Sequence, residues 1–334
     1  MFIQVQLLME KLTRRWLKDF VFTPSVSIVI ATAARLNIFK HMKEPLTPEE
    51  LGNLTRCSPK GLKRLLDVLT SLGLVEKKNG TYFLNSQVEA FLGRDDHFSN
   101  ETYLVHVFSI MKSWLHLPET LMTGKPIVSE KDPNFFVNLT RGLFAINWTE
   151  AEEFYKHLST FQAEKILDVG AGSCLWSLPF VKNDNYVKAT AIDFPNVLNG
   201  SARPIVQKEG CIDRYNFIEG DYWEVSWGEG YDLIILGHIC HSLSPDENIA
   251  LFKKASRALN AQGVLTVIDF IPDEDRVNRI FPLVFSINML LQTEKGDVYS
   301  FSEFNEMLAR AGFEEVTLFQ LDEGFGADVI VAVG

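Results

Sequence analysis

The chain has 334 residues, of which 46% are hydrophobic and 22% charged, and its formal net charge is −11. That length suits two domains with a large core; no apolar run approaches the ~20 residues of a spanning helix, and so acidic a chain is ill suited to gripping a phosphate backbone over a broad face. The four cysteines (Cys57, Cys174, Cys211, Cys240) form no CxxC pair, so neither a zinc site nor a disulfide framework is indicated, and a reduced, cytoplasmic protein is the expectation.

The opening segment, MFIQVQLLMEKLTRRWLKDF, interleaves charges with apolar residues and lacks a small-residue cleavage site, which makes it a poor signal peptide. Helical spacing of apolar residues follows in VSIVIATAARLNIFKHM (26–42) and in KGLKRLLDVLTSLGLVE (60–76). Between them Thr47 precedes Pro48 and two glutamates, a helix-start pattern. KKNGTYFL (77–84) alternates around Asn-Gly, a hairpin signal. Two short helices, a longer one and a hairpin follow the order of a winged helix. Lys60, Lys63, Arg64, Lys77 and Lys78 would let such a module bind DNA, so a regulator sensing a nucleoside ligand is one class of function to test. Against it, residues 1–150 carry a net charge of only about +3. Helical, aromatic-rich text runs on to about residue 150.

Beyond that point both charge and period change. Residues 151–334 carry a net charge of about −14, and short β-rich runs alternate with helical ones. The runs are KILDV (165–169), VKATAID (187–193), YNFIEGD (215–221), YDLIIL (231–236) and VLTVIDF (264–270), with two more strands expected in EEVTLFQLDEGFGADVIVAV. Apolar throughout and separated by helices, they read as buried parallel strands of an α/β sheet.

The first of these strands runs directly into DVGAGSC, where Gly170 and Gly172 allow a sharp turn and close approach to a ligand. In open parallel sheets ligands bind at the carboxyl ends of the strands, where the strand order reverses. The second strand ends in Asp193, an acid placed to accept from both hydroxyls of a ribose. The third ends in Asp221 with Tyr222 and Trp223 beside it, an acid and aromatics suited to the amine and face of adenine. Three successive strand ends of this kind are far more specific than a glycine loop alone.

From about residue 20 to the end, the chain resembles the two-domain S-adenosylmethionine-dependent O-methyltransferases of the caffeate and hydroxyindole methyltransferase type. The resemblance implies a Rossmann-like class I methyltransferase sheet of seven strands, the last antiparallel, with a mainly helical N-terminal domain. It implies a winged-helix dimerisation domain at 1–95, a helical linker and substrate-lid segment at 96–150 and a catalytic domain at 151–334. By similarity Gly170 and Gly172 flank the methionine part of the cofactor, Asp193 takes the ribose, and Asp221 with Tyr222 takes the adenine. The partners implied are a small-molecule acceptor and a second copy of the chain, with no nucleic acid, membrane or metal. The family's usual loop is DVGGGxG, so Cys174 replaces its last glycine. Plant members often have a lysine where this chain has Gly237.

The segment DLIILGHICHSLSPDE contains two histidines, His238 and His241. His241 matches the family's catalytic base, and Asp269, 28 residues on, matches the acid that assists it. Neighbouring strands would bring the two to one edge of the sheet, where a carboxylate fixes the imidazole tautomer and leaves the other nitrogen to take a proton. A metal pair is disfavoured, since no further ligand has convincing spacing. His238 is left between packing and a polar contact to substrate. A second assisting acid in plant members falls at Val298 here, with Asp297 beside it. The substrate lid maps onto FFVNLTRGLFAINW (135–148) and RIFPLVFSINMLLQ (279–292), with Asn147, Trp148, Phe285 and Met289 as substrate contacts. The acceptor implied is a hydroxyl on a small aromatic or polyketide-like metabolite. Methylation at carbon or nitrogen, or a non-methylating reaction on the same fold, is the alternative.

Overall fold

The computed structural model describes residues 14–92, 100–127, 134–321 and 326–334. Most of the segment on which the signal-peptide reading rests, and most of the turn expected before the last strand, lie outside the described residues. The chain forms two compact units, one up to Lys112 and the other from Ser113 onward. No described helix is long and apolar enough to cross a membrane.

The first unit contains α1 (Arg14–Arg35), α2 (Ile38–His41), α3 (Pro48–Thr55), α4 (Pro59–Ser71), the hairpin β1 (Val75–Lys78) and β2 (Thr81–Leu84), α5 (Ser86–Leu92) and most of α6 (Glu101–Trp114). The single helix expected over 26–42 is two, because Asn37 takes a left-handed backbone (φ 54) through which a right-handed helix cannot run. Thr47 caps α3 reciprocally: its hydroxyl accepts from Glu50 N at 3.2 Å and the Glu50 carboxylate accepts from Thr47 N at 2.8 Å. Asn79 and Gly80 both have positive φ (51 and 86), the turn whose twist matches that of the paired strands. Leu62, Leu66 and Leu69 bury one face of α4 in a core with Ile38, Phe39, Leu51 and Tyr82. Asp67 accepts from Lys63, Lys77 and the Tyr82 hydroxyl, each at 2.8 Å, and these donors hold its carboxyl far below the ordinary carboxylate value. Two of the lysines a DNA-binding reading would use are thereby paired within the unit.

The second unit begins with α7 (Leu117–Thr123), α8 (Phe135–Ile146) and α9 (Trp148–Leu158), then enters the sheet with β3 (Lys165–Val169). There follow α10 (Leu178–Asn183), β4 (Lys188–Asp193), α11 (Pro195–Val197) continuing through a π turn into α12 (Arg203–Lys208), β5 (Tyr215–Glu219) and β6 (Tyr231–Gly237). The chain closes with α13 (Pro245–Ala258), β7 (Leu259–Asp269), α14 (Ile280–Gln292), α15 (Phe301–Ala311), β8 (Glu315–Gln320) and β9 (Asp328–Val333). The seven-stranded sheet has the order β5-β4-β3-β6-β7-β9-β8, and β9 alone runs antiparallel to its neighbours. Strand order therefore reverses between β3 and β6, where an open sheet leaves a crevice at its carboxyl edge. Leu233, Ile234, Ile235 and Leu236 of β6 are fully buried, which explains the unbroken apolar run. One side of the sheet packs with Leu251, Phe252 and Ala255 of α13 and Phe304 and Leu308 of α15. Each leucine or phenylalanine among them contributes roughly 1.5–3 kcal/mol on burial.

Candidate active site

Adjacent strands β5, β4, β3, β6 and β7 end, in that order, at Asp221, Asp193, the glycine loop, the two histidines and Asp269. In the loop Gly170, Gly172 and Cys174 all have left-handed backbones (φ 64, 58 and 61). A Cβ on Gly170 would lie 2.8 Å from Ile239 Cγ2, and one on Gly172 would lie 2.9 Å from Thr140 Cγ2 of α8. Glycine is thus required twice over, by conformation and by space. Cys174 is also left-handed, so a right-handed helix cannot run through it and α10 begins only at Leu178. Below the loop Ser177 Oγ donates to the buried Asp168 at 2.6 Å and lies 3.0 Å from the Tyr215 hydroxyl. Burial pushes the Asp168 carboxyl up to about 7.

Asp193 accepts from Gly172 N through Oδ2 at 2.8 Å and from Phe194 N through Oδ1 at 2.7 Å. Burial raises its carboxyl, and the two backbone donors oppose that rise. Each oxygen keeps a further lone pair. Asp221 stands two residues beyond β5, where its Oδ1 accepts from Trp223 N at 2.8 Å, and the Tyr222 and Trp223 rings lie 5.4 Å apart. Gly220, between strand and acid, has φ 143, and a Cβ there would lie 2.6 Å from Val225 Cγ1.

His241 and Asp269 meet across β6 and β7. His241 Nδ1 is 2.7 Å from Asp269 Oδ1, and His241 N donates to Oδ2 at 3.0 Å. Phe270 N donates to Oδ1 at 2.9 Å. Burial alone would raise the Asp269 carboxyl, but the charge and hydrogen bond of His241, with smaller effects of His238 and Phe270 N, hold it below the ordinary value. The turn carrying His241 is fixed on its far side by α13, whose cap Ser244 exchanges hydrogen bonds with Glu247, itself 2.7 Å from Lys295 Nζ. His238, at the strand exit, has a left-handed backbone (φ 56) and donates its N–H to Ile268 O at 2.8 Å. Its Nδ1 lies 4.0 Å from Asp269 Oδ1. His238, His241 and Asp269 offer possible ligand atoms within 4.8 Å of one another.

Among the expected substrate contacts, Phe285 of α14 is brought directly to the pair, with its ring 4.8 Å from that of His241. Met289, one turn further along α14, is buried. Asn147 is buried at the junction of α8 and α9 with its Oδ1 unpartnered among the described residues, while Trp148 packs its ring against Phe144 and 5.3 Å below Lys182 Nζ, on the α10 side. Val298 is buried, and Asp297 accepts from Ser286 Oγ of α14 and from Val298 N. Its carboxylate therefore braces α14. Two neighbours escaped the sequence reading because no motif marks them. Trp176 occupies the space beside Gly237, where an added Cβ would lie 2.3 Å from its Cδ1, so a lysine there would displace the indole. Phe270 packs tilted against the His238 ring and edge-on against Phe281 and Phe285.

A family model described as an O-methyltransferase domain matches residues 124–314, and one described as an O-methyltransferase dimerisation domain matches residues 19–94. The chain belongs to the O-methyltransferase family. This O-methyltransferase uses S-adenosylmethionine as methyl donor and acts on a small molecule. It is similar to a 3-hydroxy-5-methyl-1-naphthoate 3-O-methyltransferase of Streptomyces sahachiroi, 25% identical over 278 residues that cover 80% of this chain and 79% of the relative. An L-tyrosine C(3)-methyltransferase of Streptomyces lavendulae is 22% identical over 320 residues, covering 90% of this chain and 87% of the relative. In fold, the O-methyltransferase is similar to human N-acetylserotonin methyltransferase solved in complex with S-adenosylmethionine, with a TM-score of 0.85, 22% identity, and coverage of 97% of this chain and 98% of that one.

Proposed function

We propose that this O-methyltransferase methylates a hydroxyl of a small aromatic or polyketide-like metabolite, with His241 as general base and Asp269 as the group that orients it. The observation that carries the reading is the 2.7 Å contact between His241 Nδ1 and Asp269 Oδ1 at the ends of neighbouring strands. With Nδ1 turned to a carboxylate, the proton-accepting nitrogen is Nε2, and Asp269 stabilises the imidazolium that forms. A phenol has a pKa near 10 and is a poor nucleophile at neutral pH, so removing its proton during transfer contributes roughly 10²–10⁴-fold.

The residues at the other three strand ends fit the donor. The left-handed loop presents bare backbone at Gly170 and Gly172, and Asp193 has lone pairs free for two vicinal hydroxyls. Asp221 with Tyr222 suits an amine-bearing purine. When bound, S-adenosylmethionine supplies an electrophilic methyl group on a positively charged sulfur. Asn147, Trp148, Phe285 and Met289 are assigned to the acceptor, which Phe285 would press against His241. The relative from S. lavendulae, named for methylation at carbon, makes the same fold on carbon the second reading.

The dimerisation-domain match and the exposed Phe20, Val21, Phe22 and Ile28 of α1 support a homodimer formed through the first unit. The pairing of Lys63 and Lys77 with Asp67 supports a chain without a nucleic-acid partner. The decisive variant is His241→Ala. Turnover is expected to fall by about 10²-fold or more, with S-adenosylhomocysteine still raising the melting temperature. Undiminished turnover removes the base assignment, and absence of any shift with either cofactor form removes the assignment of the loop.

A further inference from the structure

Both ring nitrogens of His238 are buried, and neither has a hydrogen-bond partner among the described residues. Leaving a buried polar atom unpartnered costs roughly 1–3 kcal/mol. Burial keeps the ring neutral by pulling its pKa down to about 4, against the opposing charge of Asp269. A neutral imidazole offers one N–H donor and one bare nitrogen that accepts. The nearest carboxylate meets neither need. Asp269 Oδ1 is 4.0 Å away, beyond hydrogen-bond reach, and that carboxylate already accepts from His241 Nδ1, His241 N and Phe270 N. Trp176 and Phe270, with ring centroids 5.6 and 4.7 Å away, are the aromatic neighbours. Yet 14% of the side-chain surface stays open. With both nitrogens buried, that surface belongs to carbons, and a half-turn about Cβ–Cγ brings nitrogens to the positions of ring carbons.

The distance to the base limits what His238 can reach. The two imidazole centroids are 6.2 Å apart, with ring planes at 41°. An atom hydrogen-bonded to a ring nitrogen lies about 4 Å from the ring centre. Two atoms served by the two rings can therefore sit about 3 Å apart, the separation of oxygens on adjacent or peri carbons of an aromatic system.

We propose that His238 is a specificity-determining residue, hydrogen-bonding a second oxygen of the acceptor beside the hydroxyl whose proton passes to His241. The proposal rests on the general-base reading and adds the substrate class: aromatics with ortho or peri oxygens, in preference to isolated phenols. A ring with one donor and one acceptor serves a neighbouring hydroxyl or a neighbouring carbonyl equally.

The test compares 2,3-dihydroxynaphthalene with 2-naphthol, using the full-length enzyme and S-adenosylmethionine with EDTA present. After allowing for the diol's two equivalent hydroxyls, the ratio of kcat/KM values should favour the diol by about tenfold or more. In His238→Phe that ratio should fall close to one. His238→Asn, which tolerates the left-handed backbone and keeps a donor and an acceptor, should restore part of it. Dissociation constants with S-adenosylhomocysteine bound read the same contrast for a probe that binds without turnover, and they also show that each variant is folded. A wild-type ratio near one, a ratio that survives His238→Phe, or failure of both probes to bind overturns the proposal. A preference seen only without EDTA overturns it as well, by assigning the selection to a cation held by His238, His241 and Asp269. Failure of the underlying reading looks different: the methyl group is found on carbon by NMR of the product, or His241→Ala turns over undiminished.

Discussion

Gly172 is where conformation and space meet in one residue. Its φ of 58 and the 2.9 Å approach of Thr140 Cγ2 to a hypothetical Cβ make Gly172→Ala a strained substitution on both counts. A cost of about 1–2 kcal/mol is expected, read as a lower melting temperature, together with weaker S-adenosylhomocysteine binding by calorimetry. Unchanged stability would mean that α8 gives way easily over the loop. Cys174 shows the other side of the same rule. It holds a left-handed conformation without being glycine, and burial pushes its thiol well above its usual value. At Asp269 the prediction concerns chemistry: Asp269→Asn keeps the size of the side chain but not the charge that stabilises an imidazolium. A drop in kcat of about 10²-fold or more is expected, with KM little changed.

Between elements, the start of β9 ties together the two segments assigned to the acceptor. Glu150 of α9 is fully buried and accepts from Ala327 N at 3.1 Å, while Asp328 holds Arg279, the residue that precedes α14. Burial pushes the Glu150 carboxyl up to about 7, with Glu153 and Asp328 adding to the rise. The native state therefore keeps a proton that the unfolded chain releases near its ordinary carboxylate value, about 4.3. Stability from this group is full below that value, declines as pH rises, and has been lost above about 7. Glu150→Gln should flatten that slope and stabilise the protein at pH 8 by about 2–3 kcal/mol. Urea unfolding of parent and variant at pH 5 and pH 8 gives the comparison. An equal difference at the two pH values would show that Glu150 does not titrate in this range.

On the scale of the whole molecule, α1 leaves Phe20, Val21 and Phe22 more than half exposed, an unusual amount of aromatic and aliphatic surface for one stretch of helix. If the first unit mediates a homodimer, Phe22→Asp should shift sedimentation equilibrium from dimer towards monomer. A monomeric parent would remove the proposal, and a dimer that persists in the variant would move the interface elsewhere. The β6 strand shows how an assembly-level constraint writes itself into text. Four consecutive buried residues, Leu233 to Leu236, belong to a strand covered on both faces, so no alternation appears.

What the sequence determined by itself was whatever is encoded locally or at a strand end. The helix start at Thr47, the Asn-Gly hairpin, the seven strands and the glycine loop were all legible, because each depends on a backbone preference or a run of apolar residues. The approach of His241 to Asp269 was legible too, since both leave neighbouring parallel strands at the same edge. Asn37 and Cys174, whose left-handed backbones split one helix and delay another, gave no such signal, because context overrides propensity at single residues. Only the tertiary structure decided that Trp176 fills the space beside Gly237, that Asp297 engages Ser286, and that Asp269 Oδ1 turns to His241 Nδ1 and Phe270 N and stays beyond hydrogen-bond reach of His238. These are contacts between side chains from different elements, fixed by close packing, and packing is a property of the assembled sheet and its helices rather than of any stretch of chain.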